Sequence, residues 1–126
     1  MKLGIVGSRR RAKVEDHLIL RERVINLNPD MIISGGCPTG ADNFAEQIAK
    51  KLGIPILIHY PKLDSLRAYT RQQVIEAMYA RNKLIAIESD YLIALVASDR
   101  KGGTENTIKY FVEYYSFTWK DNLEIL

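Results

Sequence analysis

The sequence predicts an α/β fold built on a mainly parallel sheet of about five strands, and three observations predict it. Apolar runs and helix-period segments alternate from end to end, the pattern of repeated βαβ units. Two of the runs, residues 54–60 and 91–96, are nearly continuous in apolar side chains, as in strands covered on both faces. Six of the eight glycines stand where a proposed strand gives way to a helix.

The elements follow in order. A first strand over residues 2–6 ends at Gly7-Ser8-Arg9. A helix over 14–27 follows, with Leu18, Val24 and Ile25 expected to face inward. Asn28-Pro29-Asp30 closes it, because proline cannot continue a helix and disfavours helix in the residue before it. A second strand covers 31–34. In the next helix Ala41, Phe44, Ala45, Ile48, Ala49 and Leu52 recur at helical spacing and form the cleanest amphipathic stripe of the chain. Gly53 suits the left-handed position after it. The third strand, 54–60, is closed by Pro61, and 62–68 reads as loop. A longer helix covers about 69–87, a fourth strand 91–96 and a loop 97–103. The last helix, about 104–115, has an apolar face of Ile108, Phe111, Val112 and Tyr115. A short final strand is expected over 123–126.

Composition bounds the rest. The 126 residues suit a single domain; 47% are hydrophobic and 26% charged, ordinary for a soluble globular protein. No apolar run approaches the roughly 20 residues of a membrane span, and the start, MKLGIVGSRRR, is too quickly basic for a signal peptide. The single cysteine, Cys37, points to a reducing, cytoplasmic setting. His17 and His59 are far apart and no Cys/His cluster exists, so neither a metal nor a cofactor is expected. The net charge of +3 accommodates a phosphate-bearing ligand without demanding one.

The glycines carry the functional signal. Gly7, then Gly35, Gly36 and Gly40, then Gly102 and Gly103 mark three strand-to-helix corners. In open α/β sheets such corners share one edge, where ligands bind. Glycine admits close backbone approach, and each following helix presents a partly positive N-terminus. Three such corners suggest an anion cradle. Neither GxGxxG nor GxxxxGK[ST] is present, so this is neither a standard dinucleotide site nor a P-loop.

The ordered set Gly-Ile-Val-Gly-Ser-Arg (4–9), Ser-Gly-Gly-Cys-Pro-Thr-Gly-Ala-Asp (34–42), Arg81-Asn82, Ser89-Asp90 and Gly102-Gly103-Thr104 resembles the SLOG superfamily, and within it the small YpsA-related proteins. More distantly it resembles the lonely-guy phosphoribohydrolases and the Rossmann domain of DNA-processing protein A. The resemblance spans residues 4 to about 112. It implies a Rossmann-like three-layer αβα sandwich with strand order 3-2-1-4-5 and a nucleotide-related ligand in the crevice. By matching motifs it implies that Gly7, Ser8 and Arg9 line the first corner and Gly35, Gly36, Thr39, Gly40 and Asp42 the second. Gly102, Gly103 and Thr104 hold a phosphate, and Arg81 and Asn82 point into the same site.

The chemistry of these residue types agrees. Arg9 and Arg81 can each grip a phosphate bidentately. Asp42 can accept from ribose hydroxyls or cap its helix; Arg81 can equally be an exposed helix arginine. Cys37 is either a reactive thiol or a small residue filling a turn. The lonely-guy signature resembles PGGxGTxxE and ends on a catalytic glutamate. Here Thr107 holds that position, and Glu105 lies two residues earlier, about 200° around a helix.

Three functions follow as expectations. The first is a nucleotide-binding module or sensor. The second is an N-glycosidic hydrolase of nucleotides, with Arg81 as clamp and Asp42, Glu46 or Glu105 as acid or base. The third is single-stranded DNA binding along Arg9, Arg10, Arg11, Arg81, Lys83, Arg100 and Lys101. The aromatic segment 110–119 offers a homodimer contact or packs on its own sheet.

Overall fold

The computed structural model describes residues 1–63 and 67–126. Among them, β1 (Lys2–Gly7), β2 (Met31–Ser34), β3 (Ile56–Ile58), β4 (Tyr91–Leu95) and β5 (Leu123–Ile125) form the sheet. They alternate with α1 (Val14–Leu27), α2 (Ala41–Leu52), α3 (Arg71–Glu88) and α4 (Gly103–Tyr114); the single turn α5 (Trp119–Asn122) precedes β5. Strand order is β3-β2-β1-β4-β5, and every pairing is parallel. This is the expected Rossmann-like order. Residues 64–66, within the loop expected over 62–68, lie outside the described residues.

Alternation along the strands builds two cores. Leu3, Ile5, Ile32, Ile93 and Leu95 face α1 and α2. Val6, Ile33, Leu92 and Ala94 face α3 and α4 through Ile85, Ile108 and Phe111. Local signals set the helix ends. Thr70 and Gln73 exchange side-chain and backbone hydrogen bonds of 3.1 and 2.9 Å at the start of α3, a reciprocal cap. Gly53 ends α2 at φ 68° with its N–H on the Ala49 carbonyl.

Two sequence expectations need correction. Leu18 and Ile25 do not face inward; they are 57% and 51% exposed, while Leu20 and Val24 are fully buried. Apolar residues surround α1, so periodicity alone allows more than one inward stripe. Asp16 selects the one used: its carboxylate accepts from Arg11 Nε (2.9 Å) and the Lys13 N–H (3.2 Å), on the face shared with Leu20 and Val24. Nor is the third strand buried on both faces. β3 is three residues long and lies at the sheet edge, with Leu57 exposed. Pro55 and Pro61 flank it, as suits an edge.

The aromatic segment divides. Phe111 is fully buried, and Tyr110, Tyr115 and Trp119 pack on the same core, whereas Tyr114 and Phe117 stand in solvent.

Gly4 shows how closely α3 approaches the sheet. A β-carbon there would lie 2.2 Å from Ser89 Oγ and 2.9 Å from Leu92 Cδ1. Ser89 is itself fixed, its hydroxyl bonded to the Ile85 carbonyl at 2.6 Å. Gly4→Ala is expected to lower unfolding free energy by about 1–3 kcal/mol in urea titrations, the usual overpacking range. Ser89→Ala in that background should recover part of the loss; an unperturbed Gly4→Ala would refute the close approach.

Candidate functional site

The chain crosses from one side of the sheet to the other between β3 and β4, leaving β1 central. The crevice at such a reversal is where open α/β sheets hold ligands. A cleft of about 400 Å³ opens there, floored by the ends of β1 and β2 and by the loop before α4. α3 supplies its outer wall. An 18-residue helix is about 27 Å long, more than a sheet of strands three to six residues long can cover, and its first half overhangs the edge.

At the base of the cleft three elements meet. Arg81 on α3 donates from Nη1 to the Gly35 carbonyl after β2. Its Nε donates to Asn82 Oδ1 at 2.9 Å. Asn82 in turn donates from Nδ2 to Asn106 Oδ1 (3.1 Å) and the Gly103 carbonyl (3.4 Å), tying α3 to α4. Asp42, in the first turn of α2, accepts the Cys37 N–H at 3.0 Å. A β-carbon on Gly35 would lie 2.6 Å from Arg81 Nη1 and 3.0 Å from Asp42 Oδ2, so both charged groups close over that glycine. Burial pushes the Asp42 pKa up, against the opposing pulls of the Cys37 N–H, the Arg81 charge and the neighbouring Ser34 hydroxyl and Gly35 N–H. Burial likewise lowers the Arg81 pKa, against the attraction of Asp42. The Ser34 hydroxyl is fully buried and makes no well-formed hydrogen bond among the described residues.

The three successive arginines have three different surroundings. Arg11 turns inward, donating to Asp16 and, from Nη1, to the carbonyls of Val96 and Leu126 at 2.8 Å each. Arg10 lies at the cleft rim and forks onto Asp99. Arg9 lines the cleft with no ion pair among the described residues, and Lys101 does the same from the opposite loop. The N-termini of α2 and α4 have Gly40 and Gly102 at their caps and no side-chain cap bond.

Of the residues expected at a site, Gly7, Ser8, Arg9, Gly35, Asp42, Arg81, Asn82, Gly102, Gly103 and Thr104 line this cleft. Gly36, Thr39, Gly40 and Glu105 do not. Gly36 packs under Tyr60, and Gly40 sits against the Ser8 carbonyl. Thr39 is exposed beside the Cys37 thiol. Glu105 is forked by Arg100, with both bonds 2.9 Å. Glu46 is half-buried on α2, outside the lining. Cys37 lines the cleft. Sequence reading missed Ile75, Met78 and Tyr79, the apolar wall on α3; the length of that helix relative to the strands was the available signal. Thr107 also lines the cleft, its hydroxyl turned back to the Gly103 carbonyl at 3.4 Å. Among the described residues no group of acidic, histidine and cysteine side chains suits a metal ion, and no helix is long and apolar enough to cross a membrane.

No family model and no curated protein gives a significant match to the chain. Among solved structures, an X-ray structure of DNA processing protein A from Streptococcus pneumoniae is similar, with a TM-score of 0.63 and 17% sequence identity. The match takes in 99% of this chain and 58% of the other. The two share the Rossmann-like fold.

The raised Asp42 pKa has a definite sign. Folding favours the protonated form, so the associated stability is fully present below about pH 3.9 and is lost as pH rises through the higher folded value. Asp42→Asn should abolish that component of the stability–pH curve while keeping an acceptor for the Cys37 N–H. Asp42→Ala, which removes the acceptor, should cost about 1–3 kcal/mol at neutral pH. Equal losses in both variants, measured by urea unfolding across pH 3–8, would contradict the acceptor role.

Proposed function

We propose that the cleft binds a nucleotide or a nucleotide-derived phosphate ligand, as a sensor or ligand-handling module. One observation carries this reading: the lining holds four cations, Arg9, Arg10, Arg81 and Lys101, and one carboxylate, Asp42, together with the start of α4 at Gly102 and Gly103, which has no side-chain cap bond. Buried or rim guanidinium groups and free backbone N–H groups are the donors phosphate takes. Gly102, Gly103 and Thr104 would meet the phosphate, and Ser8 and Thr104 would add hydroxyls. The wall of Ile75, Met78 and Tyr79 offers a face for a base. Gly36, Thr39 and Gly40 enter this reading as the shape of the second corner rather than as ligand contacts.

The reading also places the chain with the YpsA-related SLOG proteins of the cytoplasm, on its motifs and single cysteine. Tyr114 and Phe117 would supply a homodimer contact, which sedimentation at rising concentration tests. N-glycosidic hydrolysis is the less supported alternative. Glu105 is held by Arg100, so Asp42 would have to serve as acid with Arg81 as clamp. Single-stranded DNA is the other alternative, by analogy with the protein whose fold is shared.

A thermal-shift panel separates these: nucleoside monophosphates, NAD, ADP-ribose, cyclic nucleotides, nucleotide sugars and a single-stranded oligonucleotide. A ligand at a hundredfold excess over Kd adds about 2.7 kcal/mol of stability. Arg9→Ala, which removes an unpaired cation, should weaken a phosphate ligand about tenfold or more without changing the melting temperature of the free protein. A response to the oligonucleotide alone, steeply lost with salt, would replace the nucleotide reading with the DNA one.

A further inference from the structure

We propose that Asp99 is an internal competitor for the anion of this cleft, and that Arg10 is a phosphate ligand held in reserve by it. The inference rests on the anion-cleft reading above. Arg10 Nη2 donates to Asp99 Oδ1 at 2.7 Å and Nη1 to Oδ2 at 3.0 Å. The Lys101 N–H donates to the same Oδ1 at 3.1 Å. A guanidinium fork plus a backbone N–H at a loop leading into a helix is the donor set a phosphate group uses. Here the chain's own carboxylate fills it. Arg10 also touches the Lys101 carbonyl at 3.4 Å, which keeps its head against the loop that forms the cleft rim.

Two features make exchange feasible. The pair is open to water, with side chains 57% and 44% exposed, so a solute can reach it without opening a core. Asp99 does not rely on Arg10 for its place. The loop is held by the Arg100 N–H on the Ala97 carbonyl at 3.0 Å and by the Arg100 fork on Glu105. It passes through left-handed Arg100 (φ 53°) and Gly102 (φ 117°), conformations that persist only where the surroundings over-determine them. Arg10 can therefore change partner while the loop keeps its shape. Arg11, by contrast, is committed to carbonyls and Asp16 on the inner side.

The competition lowers affinity without choosing between anions. A phosphate monoester and a phosphodiester must displace the same carboxylate from Arg10, so the cost falls on both.

The test is an amide-NMR titration with inorganic phosphate and with dimethyl phosphate, on the wild type and on Asp99→Asn. Asp99→Asn should bind both anions about threefold to tenfold more tightly, the order expected when one exposed competing pair is removed. Arg10→Gln added to Asp99→Asn should erase the gain. Asp99→Ser serves as the second variant should the amide be poorly folded. A structural clasp would give the opposite sign, with weaker binding on loss of Asp99, and would overturn the proposal. Binding to the wild type that is lost in Arg9→Ala but unchanged in Asp99→Asn would overturn it while leaving the cleft reading intact. No amide shifts with either anion in any variant would overturn both.

Discussion

The cleft depends on the contact made by Arg81 across Gly35. A guanidinium on α3 reaches the carbonyl that follows β2, beside a carboxylate from the first turn of α2. Three separate elements are thereby pinned at one point of the sheet edge. Asn82 extends the tie to α4 through Asn106 and Gly103. Both charges are partly desolvated, and each answers part of the other's cost. Removing the Arg81 side chain would leave the Gly35 carbonyl and the Asn82 amide short of a donor at the point where the three elements meet. Arg81 is therefore a poor first choice for separating binding from folding, whereas Arg9 and Lys101 carry no such duty.

This arrangement also explains why the cleft is electropositive despite a nearly balanced chain. The net charge is only +3. Among the described residues four arginines are answered by carboxylates: Arg10 by Asp99, Arg11 by Asp16, Arg23 by Glu124 and Arg100 by Glu105. Arg9 and Lys101 have no ion pair among the described residues, and both line the cleft. A local excess at a concave, partly dry surface exerts a stronger field than the same charges spread over a convex one. The relevant quantity is where charges are left unpaired rather than how many there are.

Much of this was legible in the residues. Strand and helix positions follow from apolar runs and punctuating glycines and prolines, because those signals are local. The glycine corners indicated the edge at which a cleft would form for the same reason. What escaped was non-local. The exposed position of β3 follows from its edge place in the strand order, which the resemblance implied but the apolar run itself, read as buried on both faces, does not encode. The inward stripe of α1 was decided by Asp16, a polar residue whose partners Arg11 and Lys13 lie outside the helix. The apolar wall of α3 was hidden because Ile75, Met78 and Tyr79 cover a ligand-sized space rather than the core, so their periodicity carries no burial signal. The separate fates of Arg9, Arg10 and Arg11 are invisible in a run of three identical letters.

The geometry of α4 bears on whether a ligand there would be turned over. Successive helical residues are about 100° apart. Thr107 faces the cleft and is fully buried, while Glu105 lies about 200° away around the helix and is engaged by Arg100 outside the lining. Moving Glu105 into the cleft would require unwinding the first turn of α4, the turn whose N–H groups the proposed anion site would use. The donor cradle and a carboxylate at Glu105 are therefore alternatives in this fold. Asp42, the other acid, already accepts the Cys37 N–H and sits against Arg81, so acting as a proton donor would loosen the second corner. These constraints favour holding a phosphate over cleaving what is attached to it.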